Sequence, residues 1–202
     1  MNLTHGAHTR RYLAASTSLA LAIALAGCSG ADAGDDVSLG IHAVIAKYAP
    51  PIGNADLTAE QGLATIEVEP TESAIATMEW FIAGDCAKPA PVTEEFAAAC
   101  DDNGTVYLLE PAALTEDDIA SAEALEAGGV TVTFTDEAAT DLANLTALAA
   151  IATAPQNQVA MVVNGVVVSA PVVQEKITGG SVQISSSDAE RDWAALATEL
   201  NG

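Results

Sequence analysis

Reactive side chains are few in this sequence, and their spacing decides what they could do. Nucleophilic hydrolysis needs a serine or thiol with a base placed beside it. Gly-x-Ser-x-Gly, Ser-x-x-Lys, His-Glu-x-x-His and the phosphate-binding loop are all missing from the chain. Ser169, in Val-Ser-Ala-Pro, has no base supplied by any motif and reads as a strand-end serine. His42 likewise has no acidic or nucleophilic partner in a recognisable pattern and reads as a satisfied strand residue. The 28 Asp and Glu residues offer carboxylates in plenty, but a glycosidase pair depends on a separation that spacing does not show. Asp101-Asp102-Asn103-Gly104 invites a test as a calcium loop. Setting Gly104 at the invariant glycine puts Asp101, Asn103 and Glu110 at ligand positions, but the first position is then Ala99, which has no side-chain oxygen. The stretch reads as a polar turn. The expectation is a protein without catalytic residues, cofactor or metal.

Residues 1–27 read as an export leader. Arg10 and Arg11 precede an apolar stretch, 12–26, that is too short and too alanine-rich to span a bilayer. It ends in Leu25-Ala26-Gly27-Cys28, which resembles the bacterial lipobox; that resemblance implies a diacylglycerol on the Cys28 thiol, with Cys28 as the mature N-terminus. Arg-Arg-Tyr-Leu faintly matches a twin-arginine signal, but the general secretory route is the expectation. Acyl chains on one residue anchor a protein without a transmembrane helix. Residues 28–38, small, polar and acidic, then read as a flexible tether, and 39–202 as a single domain.

The chain carries a net charge of −22, and losing Arg10 and Arg11 leaves four Lys/Arg against 28 Asp/Glu, or −24. Such a balance repels nucleic acid and anionic lipid. It reads first as a solvated acidic surface and second as an attractor of basic segments or divalent cations. Besides Cys28, only Cys86 and Cys100 remain, and an even pair in an oxidising compartment is most simply a disulfide. Closing a loop of that length stabilises by about 3 kcal/mol.

The elements that position these residues centre on 159–171. Asn164-Gly165 divides two apolar runs, and that dipeptide tolerates the positive φ of a type I′ turn best. The runs lack polar alternation, so both faces are covered, one by helices; Pro171 removes a ladder donor, so the second strand ends there or lies at an edge. Upstream, 39–46 reads as a strand, followed by a proline-broken linker at 48–54. Residues 73–82 read as a helix with Ile75, Met78 and Ile82 on one face and Trp80 and Phe81 flanking it. A short helical run is expected at 93–99 and a strand at 106–110. Thr115-Glu116-Asp117-Asp118 resembles a capping box opening a helix through Ile119, Ala122 and Leu125. A strand at 130–135 leads to a helix capped by Asp136, with Leu142, Leu145, Leu148 and Ile151 as one stripe. A strand at 182–185 precedes a helix boxed by Ser187 and Glu190, whose face is Trp193, Leu196, Ala197 and Leu200. The order β-α-β-α-β-β-β-α describes an α+β fold: a mixed or antiparallel sheet with helices packed on one side.

Val-Asn-Gly-Val-Val-Val-Ser-Ala-Pro-Val-Val-Gln, then Ile177-Thr178-Gly179-Gly180 and Gln183-Ile184-Ser185, resembles the head of the first periplasmic region of SecD/SecDF, best over 86–200. Tyr107-Leu108-Leu109-Glu110-Pro111 and Val132-Thr133-Phe134-Thr135 agree with it, as does the Cys86/Cys100 pair. The family continues into transmembrane helices that carry a proton pathway, whereas the expectation here is a head domain on a lipid tether. The resemblance implies a non-enzymatic binding module at the outer face of the cell membrane. Its partners would be exported polypeptide or Sec or transporter membrane components, and not nucleic acid. The alternative is a solute-binding or regulatory envelope lipoprotein, which would need a concave apolar pocket.

Overall fold

The computed structural model describes residues 37–49, 57–91, 93–186 and 191–202. Cys28, the leader, nearly all of the tether and the Ser187/Glu190 box lie outside them. The chain begins with β1 (Leu39–Tyr48), α1 (Ala59–Thr65), α2 (Glu72–Ala83), β2 (Ala97–Asp101), β3 (Val106–Leu109) and β4 (Leu114–Thr115). It continues through β5 (Ile119–Ala124), β6 (Val130–Phe134), α3 (Asp136–Ile151), β7 (Val159–Val163), β8 (Val166–Ser169), β9 (Ser181–Ile184) and α4 (Trp193–Glu199).

The expected hairpin is there. Asn164 and Gly165 take φ of 49° and 78°, the left-handed pair that turns β7 back onto β8. Neither strand is at an edge. β7 pairs antiparallel with the first half of β1, and β8 pairs parallel with β2. β2 pairs with β3, and β3 pairs with the second half of β1, so β1, β7, β8, β2 and β3 close a ring. The ring encloses Val44, Ala99, Tyr107, Leu109, Ala160 and Val167, with each strand contributing at least one side chain. A small barrel has little internal room, which accounts for alanine at two of the six places.

The α+β class and mixed sheet are as expected, with the strands divided over two sheets. The second sheet runs β5-β6-β9, all antiparallel. Its inner face, α3 and α4 share one core with the outer face of β1 and β7, including Leu39, Ile41, Met161, Val132, Leu142 and Ile184. On the opposite flank α1 and α2 pack on β3 through Leu63, Met78, Phe81, Phe96 and Leu108.

Several local expectations are corrected. The Thr115/Asp118 box forms, but it caps a single 3-10 turn, Glu116–Asp118, and the chain then becomes β5. A bulge between Ile119 and Ser121 turns both Ile119 and Ala122 toward the core, so a strand imitates helical spacing. The alanine run at 93–99 is not helical. Thr93 Oγ1 closes a turn with Phe96, and the alanines enter the ladder between β3 and β8, where pairing overrides propensity. Thr135, not Asp136, caps α3. Asp192 caps α4, through Ala195 N. The buried stripe of α2 is Ala74, Thr77, Met78 and Phe81, one residue off the expected set, and α1 was not foreseen. The tip of the hairpin also secures the start of β1, since Asn164 Oδ1 accepts from Ser38 N (2.9 Å) and Asn164 N donates to Ser38 O (3.0 Å).

Gly165→Val places a branched residue at φ 78°. The expected loss is about 1–3 kcal/mol in urea denaturation. Gly179→Ala, where an added Cβ meets nothing within 4 Å, should stay within about 0.5 kcal/mol.

Candidate functional site

Among the described residues, those singled out for chemistry have structural assignments. Cys86 and Cys100 form a disulfide, Cα–Cα 5.8 Å, closing a loop with a sequence separation of 14. Asp101 organises the polar turn that follows: its Oδ1 accepts from Asn103 N (2.9 Å) and Thr105 N (2.8 Å). Tyr107 donates to Asp101 Oδ2 at 3.3 Å. Burial, with the Asp101 charge beside it, pushes the Tyr107 hydroxyl up to about 12, so it remains a donor. Ser169 ends β8 opposite Met161; a depression of about 60 Å³ there is lined by Asp101, Tyr107 and Ser186 among others, and by no histidine.

His42 sits on β1 with 7% of its surface exposed, and its Nδ1–H donates to Glu110 O at 2.8 Å. Glycine at position 40 makes room for the ring, since a Cβ there would collide with it. Burial holds His42 below its usual 6.5, and the hydrogen bond to Glu110 opposes that only in part.

A cavity of about 410 Å³ lies between the disulfide loop and the hairpin tip, lined by Trp80, Lys88, Asp101, Asp102 and Asn164 among others. Its volume suits a small molecule. Its polar side chains, however, are engaged within the fold. Trp80 Nε1 donates to Lys88 O (3.3 Å), Lys88 pairs with Asp85 (2.8 Å) and Asp102 with Arg191 (3.6 Å). Asp101 holds its own turn and Asn164 is bonded to Ser38, as described above. Each of these side chains thus has a partner within the fold.

The other end of the ring is different. The leucine stripe read on α3 advances by three residues at a time, and each step falls about 60° short of a full turn. Leu142 is therefore buried, while Leu148 and Ile151 emerge with 68% and 83% of their surface exposed. Ala138, Leu142, Ala143, Thr146 and Ala149 form the buried face instead. Leu145, Leu148, Ala149 and Ala152 wall a groove of about 220 Å³, whose floor is Ala43, Val44 and Ile45 of β1. Glu110 and Gln156 complete its lining, and Gln156 Nε2 crosses to donate to Ile45 O (2.9 Å). The drift of the leucines was legible in their spacing; the meeting of 43–45 with 145–156 was not.

The family profile described as SecDF, P1 head subdomain, matches residues 93–202. The chain belongs to the SecDF P1 head family. The homology implies an extracytoplasmic domain. The protein translocase subunit SecD of Streptomyces coelicolor is 37% identical over 129 residues, 59% of this chain and 22% of that protein. The chain thus spans about a fifth of that curated relative, 22%. A crystal structure of SecDF in a super-membrane-facing form is 21% identical over 82% of this chain and 18% of that one, TM-score 0.46. A structure titled as a membrane component SecDF that enhances protein export is 24% identical over 82% of this chain and 62% of that one, TM-score 0.44. Among the described residues, no helix is long and apolar enough to cross a membrane.

The buried neutral His42 gives a pH dependence with a definite sign. Below pH 6.5 the unfolded chain takes up a proton that the folded chain resists, so stability is full above 6.5 and falls as pH drops below it. Thermal melts should show this loss, and His42→Gln, which can still donate to the Glu110 carbonyl, should remove that part of the pH dependence.

Proposed function

We propose that this chain is a lipid-anchored extracytoplasmic head that contacts exported polypeptides, unfolded or in transit, beside Sec or related transporter components. One observation carries the reading: Leu148 stands exposed on the wall of a largely apolar groove, with Ile151 exposed three residues further along α3, on a protein of net charge −22. Covering each of these side chains with an apolar partner is worth about 1.5–3 kcal/mol, so exposure without a partner is a standing cost. Incompletely folded chains present such apolar residues, and the acidic surface attracts their basic segments over longer range. Leu25-Ala26-Gly27-Cys28 supports anchoring through Cys28, and a tether over 28–38 would keep the head within reach of a membrane channel, where effective concentration replaces intrinsic affinity. Membership of the SecDF P1 head family supports the association with export. No step of the reading requires catalysis.

The test is binding of a fluorescent, permanently unfolded polypeptide to the full-length chain. Replacing Leu148 and Ile151 with Asp should weaken binding at least tenfold without lowering the melting temperature, because both side chains are exposed. Rising salt should weaken what remains. Unchanged affinity in the double variant would refute the groove as the contact surface.

A further inference from the structure

We infer that the polypeptide docks as an added β-strand alongside the second half of β1, with one apolar side chain in the groove and a basic residue near Glu110. This rests on the polypeptide-contact reading above and adds the geometry of the bound segment.

The stagger of the ring carries the argument. β7 accompanies β1 only from Leu39 to Ala43. The last backbone bond on that side is Val44 N to Gln158 O, at 3.3 Å. Before Gln158 the chain turns away, through Asn157 N to Thr153 O and Gln158 N to Pro155 O. β1 runs on to Tyr48 with β3 on its other side, and among the described residues no strand takes the place that β7 leaves. Ile45 O is met there by a side chain alone, the exposed Gln156 amide. Alternation along the strand puts the backbone N–H and C=O of Lys47 on the same open side. Its ammonium is engaged elsewhere, 5.6 Å from the centre of the Tyr107 ring. An edge with outward N–H and C=O groups is a template for another strand, and Gln156 occupies it as a displaceable substitute.

The side chains fix the chemistry of the occupant. In an added strand every second residue faces the groove floored by Ala43 and Ile45 and walled by Leu148. About 220 Å³ is short of a typical small-molecule pocket but admits a large aliphatic side chain. Glu110 lines the same groove and is an exposed acidic residue, which favours a lysine or arginine beside that apolar residue. The segment recognised is thus extended, apolar at alternate positions and basic at one of the others. An incompletely folded chain can adopt that form, whereas a folded helix cannot.

The experiment uses the full-length chain and a short fluorescent peptide alternating leucine and threonine, with a lysine next to the central leucine. Two further peptides carry a single backbone N-methyl group, placed on adjacent residues so that one blocks an amide facing β1 and the other an amide facing solvent. Strand addition predicts that the first N-methyl weakens binding tenfold or more and the second less than threefold. Equal effects of both, with binding still lost in the Leu148/Ile151 double Asp variant, would overturn strand addition while leaving polypeptide contact standing. Failure of the unmodified peptide and of unfolded polypeptide to bind would overturn both. Gln156→Ala should tighten binding severalfold, because no amide then has to leave Ile45 O; a tenfold loss would contradict the plug.

Discussion

The left-handed backbone at Asn164 and Gly165 fixes where β7 and β8 lie, and each of those strands then determines a different part of the ring. β7 takes the start of β1, β8 takes β2, and β3 joins the two ends. A one-residue slip at this turn would move every side chain of β8 to the other face and place Val168 rather than Val167 in the interior. The same turn holds the entry of the domain through Ser38. Closure leaves few edges, and the one remaining on β1 arises because β7 stops short of its full length. The groove is therefore a consequence of ring geometry and not an addition to it.

Electrostatics and packing act on separate parts of this molecule. The interior carries one titratable imidazole, His42, kept neutral by burial, and the carboxylates lie outside. The few cations are largely committed: Lys88 to Asp85, Arg191 to Asp102 and the Trp193 ring, Lys47 to Tyr107. A surface of this kind repels anionic partners and leaves apolar contact as the attractive short-range force at the groove. The disulfide secures a different flank, where Lys88 pairs with Asp85 and Asp102 with Arg191 around the cavity.

Much of this could be read from residue types. Asn-Gly between two valine-rich runs specified the hairpin, alternation in Val130–Phe134 specified β6, and the cysteine count specified the disulfide. The failures have physical causes. At Ile119 and Ala122 a bulge gave a strand the spacing of a helix, and at Ala97–Asp101 pairing on both sides outweighed alanine's helical preference. The candidate site was half visible: the three-residue steps from Leu142 to Ile151 could only drift off a single face. What lies beneath Leu148 depends on β1, about a hundred residues earlier, and no local pattern reports a contact made by ring closure.

The central claim is contact between the groove and polypeptides in export, and photo-crosslinking in the living host tests it most directly. The probe residue is placed at Leu148, with Gln183 on the exposed face of the second sheet as the reference. The account predicts adducts to many exported chains from position 148, dependent on active export, and few from position 183. Adducts to a single folded envelope protein, or equal yields from both positions, would contradict it.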